Sequence, residues 1–106
     1  MSELLKRQIK FSRMVGRLLI YAESIGYDLT HGDAYRDARC PYGHETSLHK
    51  ERLAIDFNLF IDGQFQPSTD AHRPLGEFWE TMGGTWGGRG GDGNHYSLGP
   101  WGGMKF

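Results

Sequence analysis

A chain of 106 residues with net charge −1 and a pI near 6.5 is one domain and lacks the charge excess that would favour nucleic acid or an anionic membrane. Hydrophobic residues at 38% and aromatics at 13% suffice for a core of modest size. A lone cysteine, Cys40, excludes an internal disulfide, and no apolar run approaches the ~20 residues of a membrane-spanning helix.

Ser2 stands where an N-cap belongs, and Leu4, Phe11, Val15, Leu18, Ala22 and Ile25 recur at helical spacing as far as Gly26, a C′ stop. The pattern predicts one long helix over residues 3–25, its apolar face widened by Met14 and Leu19 and laid over a sheet. It reads as a packing element without chemistry. The first seven residues, Met1 to Arg7, begin this amphipathic pattern and do not form a signal peptide, so synthesis in the cytoplasm is expected. Tyr27 to Tyr35 reads as a strand interrupted by Gly32. Ala38 to Thr46, with Pro41 and Gly43, reads as a surface loop. Cys40 and His44 have a spacing seen in zinc fingers, but no second Cys or suitable partner follows, so a structural zinc is not expected there.

From Leu53 to Phe60 the chain alternates with period two. Leu53, Ile55, Phe57 and Leu59 fall on a core face, and Ala54, Asp56 and Asn58 fall on the other, where a small Ala54 leaves room above the sheet. Asp62-Gly63 is a hairpin turn. After a polar connection, Asp70 or Thr69 is placed to cap a second helix running to about Met82. Its apolar face is Leu75, Phe78, Trp79 and Met82, and Gly83-Gly84 ends it. His72, at its start, reads as a solvated histidine. Thr85 to Asn94 reads as a glycine-rich loop, with Trp86 either walling a cleft or in the core. Asn94 to Leu98 alternates again, with His95 and Ser97 on one face and Tyr96 and Leu98 on the other. The tail from Gly99 to Phe106 is apolar without periodicity.

The chemistry gathers at two places. His49 precedes the first alternating strand and lies seven residues before Asp56; Asp92 lies three residues before His95. If the two alternating segments are neighbours, Asp56 and His95 meet, and His49 folds back from its loop to join them. Two His and one carboxylate leave a tetrahedral zinc with an open fourth position, the arrangement of a hydrolytic site. Asp92 is then the candidate general base. The alternative is a surface His and a solvated Asp with no connection.

These residues resemble the zinc peptidase family that includes D-alanyl-D-alanine carboxypeptidases, vancomycin-resistance dipeptidases and phage L-alanyl-D-glutamate endolysins. The family's first motif reads Ser-x-His-x-x-Gly-x-Ala-x-Asp. Ser47, His49, Ala54 and Asp56 match it in register, with Arg52 where Gly is usual. The second motif is Glu or Asp, two residues, then His, which Asp92 and His95 match. Trp86-Gly87-Gly88 also matches a feature of the endolysin branch. Asn94 replaces the usual Pro and Tyr96 the usual Phe. The resemblance runs from the first helix to Leu98.

It implies a fold of the α+β class: one zinc peptidase domain over residues 1–106, with an antiparallel sheet covered by a long N-terminal helix and a second helix. The zinc site would lie on the open sheet face, and no separate cell-wall-binding domain is visible. It also implies one zinc per chain on His49, Asp56 and His95, with Asp92 as catalytic base. Arg36, which follows Tyr35 after a strand, would help bind substrate and favour the negative charge developing on the scissile carbonyl; alternatively it is a solvated Arg paired with Asp33 or Asp37. The implied substrate is the stem peptide of bacterial peptidoglycan, cut between L-Ala and D-Glu by a monomer that reaches the wall after release from the cytoplasm, as in phage-driven host lysis. D-Ala-D-Ala carboxypeptidase or dipeptidase activity is the alternative. A third reading is a non-catalytic zinc-containing binding module, as in hedgehog domains of the same architecture.

Overall fold

The structure is a computed structural model that describes residues 1–32 and 53–99. Helix α1 runs from Glu3 to Ser24. Its first turn is capped by Ser2, whose Oγ accepts the Leu5 N–H at 3.0 Å. Gly26, at φ +79°, takes the left-handed position that ends it. The helix buries Phe11, Met14, Leu18 and Ala22, a stripe at spacings of three and four. Leu4 and Ile25, expected at the ends of that stripe, are exposed: the apolar face is needed only where a sheet or α2 lies beneath it.

Strand β1 spans Tyr27–His31; its predicted continuation to Tyr35, and the loop Ala38 to Thr46, lie outside the described residues. Strand β2 spans Ala54–Ile61 and is the centre of the sheet. Leu53, Ile55, Phe57 and Leu59 are buried, and Asp56 and Asn58 are half-buried, as period-two alternation requires, but Ala54, expected on the open face with room above it, is fully buried too. Strand β3, Gln64–Phe65, returns through a two-residue turn in which Asp62 and Gly63 both have positive φ, 52° and 76°. That is the type I′ geometry a tight hairpin favours.

A 3₁₀ turn at Asp70–His72 leads into α2, Arg73–Thr81. The predicted cap is displaced. Ser68 Oγ, not Thr69 or Asp70, accepts the Ala71 N–H, because the Thr69 hydroxyl is engaged elsewhere and Asp70 bonds to Arg73. The predicted glycine-rich loop contains structure too: β4 at Thr85–Trp86, a second 3₁₀ turn at Gly87–Gly90, then β5 at His95–Ser97. Thr85 and Trp86 pair with Ser97 and Tyr96, which draws the segment into the sheet. Sheet order is β1-β2-β5-β4, with β3 also on β2, and every pairing is antiparallel.

The core lies between the helices and the sheet. Trp79 of α2 meets Phe11 and Tyr96 edge-on, at centroid separations of 5.7 and 5.8 Å, and its Nε1 donates to the Ser97 carbonyl at 2.9 Å. Trp86 is fully buried, which places it in the core; Gly76 and Gly88 press on its indole, where a Cβ on either would collide with the ring. Arg89 lies 5.3 Å above that ring and binds Glu80 through two nitrogens, at 2.9 and 2.7 Å, holding the Glu80 carboxyl below its ordinary range. The described residues thus form an α+β domain, with an antiparallel sheet and two helices. No described helix is long and apolar enough to cross a membrane.

Candidate functional site

The β2–β5 pairing sets the geometry. In its register Ala54 faces Ser97, Ile55 faces Tyr96 and Asp56 faces His95. Residues opposite one another in an antiparallel pair point to the same face. The buried Ile55 and Tyr96 therefore go to the core side, and Asp56 and His95 go together to the other. Their side chains are 20% and 16% exposed, with Asp56 Oδ1 and His95 Nδ1 3.2 Å apart. That separation suits a hydrogen bond. It also suits two donors on one ion, since ligands about 2.0–2.1 Å from a tetrahedral zinc stand roughly 3.3 Å from each other. Asp56 and His95 are thus two of the three donors expected of the zinc site, at a separation a shared ion would allow. Among the described residues no group of three or more His, Cys, Asp or Glu side chains comes together. His49, the third expected ligand, and Arg36 lie outside the described residues.

Asp92 sits in the turn that delivers His95 to the sheet. Its carbonyl accepts the His95 N–H at 3.2 Å and its own N–H donates to the Gly87 carbonyl at 3.0 Å. The next residue, Gly93, is buried, and its carbonyl accepts from Trp86 Nε1 at 2.7 Å. The backbone around Asp92 is thus tied down while the residue itself is exposed. Asn94 continues the edge, its carbonyl accepting the Phe57 N–H at 2.9 Å.

Beside this turn is a polar cleft of about 170 Å³, lined by Phe57, Asn58, Thr69, His72, Asp92 and Asn94 among others. A larger, open groove of about 620 Å³ lies between the helices, around Tyr21, Arg73 and Phe78. It contains none of Asp56, Asp92 or His95; the smaller cleft is lined by Asp92 but by neither Asp56 nor His95.

His72 departs from expectation. It is buried, at 3% exposure, not solvated. Its Nδ1 lies 2.8 Å from the Tyr96 hydroxyl. Burial pushes the Tyr96 phenol up and keeps it protonated; burial also lowers the His72 pKa, against the opposing pull of the Asp92 charge. A group depressed on folding binds protons more readily in the unfolded chain. Its contribution to stability is therefore present above the ordinary histidine value of 6.5 and is lost as pH falls from 6.5 towards the folded value. The melting temperature should accordingly drop over that interval. His72→Asn, which keeps an acceptor for Tyr96 but cannot titrate, should show a shallower dependence there. Equal slopes in the two proteins would remove His72 from the account.

Neither protein-family models nor curated protein sequences give a match to the chain.

Proposed function

We propose that this protein is a zinc metallopeptidase that hydrolyses the stem peptide of bacterial peptidoglycan at the L-Ala–D-Glu bond. The observation that carries the reading is the Asp56–His95 pair, two zinc-type donors 3.2 Å apart on a half-buried face, beside a turn that carries a further carboxylate. His49, Asp56 and His95 would hold one zinc per chain. Bound there, zinc would lower the pKa of a water to about 7 and polarise a carbonyl.

The other roles belong to the chain. Asp92 takes a proton from the attacking water and passes it to the leaving amine of D-Glu, as the bond from the L-Ala carbonyl carbon to that nitrogen breaks. Arg36 favours the charge that develops on the carbonyl oxygen. Asn58 and Asn94, both half-buried, line the cleft beside Asp92 and offer hydrogen bonds to the polar backbone of a peptide. Action on the wall follows release from the cytoplasm, as expected of a phage lysis enzyme.

The test is mass spectrometry of purified peptidoglycan after digestion by the pure, zinc-loaded protein. A new amine on D-Glu, with L-Ala still on muramic acid, is the expected product. Free D-Ala or D-Ala-D-Ala without that amine would make it a carboxypeptidase or dipeptidase. Intact stem peptide with zinc bound would make it a binding module.

A further inference from the structure

Of the features the proposed chemistry leaves unused, the most constrained is a single hydroxyl. Thr69 Oγ1 donates to the Gly91 carbonyl at 3.1 Å and accepts the Gly93 N–H at 3.2 Å. Those two groups stand on either side of Asp92. We infer that Thr69 is a positioning residue, whose hydroxyl grips the turn on both flanks of Asp92 and fixes where that carboxylate stands relative to His95.

Three observations make the grip specific. Gly93 comes so close that a Cβ on it would lie 2.6 Å from Thr69 Cα, so the turn is seated directly on the threonine backbone. Thr69 is itself anchored: its carbonyl accepts the His72 N–H at 3.0 Å, and His72 reaches Tyr96, the neighbour of His95. One short 3₁₀ turn thereby reaches both the base-bearing turn and the strand that carries His95. Lastly, Thr69 stands at the N-cap position of that turn yet makes no capping bond, while Ser68 does the capping. A hydroxyl that served only the helix start would bond there instead.

The inference rests on the peptidase reading, in which Asp92 moves the proton. A general base must meet its water within hydrogen-bond reach, and misplacement by about 1 Å lowers rates by up to ~10²-fold. Thr69→Val keeps the shape and removes both hydrogen bonds; Thr69→Ser keeps the hydroxyl. In Val, kcat should fall by about 10- to 100-fold with KM and zinc content near wild type, and the Gly93 amide should exchange with deuterium faster. In Ser, kcat and Gly93 protection should both recover to within a few-fold. Should Val fail to fold, Thr69→Ala takes its place, with kcat taken per folded molecule.

Wild-type kcat and Gly93 protection in Val would overturn the inference while leaving an active peptidase. A rate loss that tracks melting temperature, with no recovery in Ser, would also overturn it, because a merely structural threonine behaves that way. A wild-type protein that binds zinc but leaves every stem peptide intact would overturn the peptidase reading and with it this role.

Discussion

Asp56→Asn, His95→Ala and His49→Ala are each expected to lose zinc, and with it all hydrolysis above background. Asp56 has the largest effect per atom changed. It is the only anion in the proposed ligand set, and Asn keeps its volume while discarding its charge. Elemental analysis after dialysis should fall from near one zinc per chain to a small fraction. The competing description is a His–Asp hydrogen bond with no metal. Under it Asp56→Asn still offers an acceptor to His95, melting shifts by only ~1 kcal/mol, and zinc content is negligible in every protein. Zinc retained in all three variants would end the assignment. A ligand that binds only the folded chain also raises its stability. A chelator should therefore lower the melting temperature of the wild type and leave Asp56→Asn unmoved. His31, exposed on β1, and His44 are the proper controls. His72 is not, since it is buried against Tyr96 and its loss would disturb the sheet.

Asp92→Asn should behave in the opposite way. Zinc content and melting temperature stay close to wild type, because among the described residues the bonds that hold this turn run between its backbone and the Thr69 hydroxyl or neighbouring backbone. The rate falls by ~10²–10⁴, the usual worth of a general acid–base. If Asp92 instead only decorates the turn, kcat is nearly unchanged. A variant with more than about a tenth of wild-type kcat, zinc-loaded and folded, lies outside that range and removes the role.

What could be read beforehand followed from short-range rules. Period-two alternation gave β2 its buried and half-buried faces, and Asp62-Gly63 gave the hairpin, since both depend on neighbours in sequence. The meeting of Asp56 and His95 was legible because two alternating segments with one chemical residue each can pair in few ways. Thr69 and His72 were not legible. A threonine before a helix suggests a cap and a histidine there suggests solvent, yet their partners are Gly91, Gly93 and Tyr96, 22 to 24 residues away. Glycine hid β4 in the same manner: Thr85 and Trp86 carry no periodicity, and only the register with Ser97 and Tyr96 makes them a strand.

Asp56 and His95 are 39 residues apart along the chain, and nothing local draws them together. Pairings of such long separation are slow to form, because loop closure must precede the contacts that reward it. A nascent chain grown only through α2 already contains β2, but the strand that will bring His95 to Asp56 does not yet exist. The two side chains become neighbours only when β5 docks. Any chemistry that needs both is therefore withheld until β5 has docked on β2, so the proposed hydrolysis would begin only after that pairing forms.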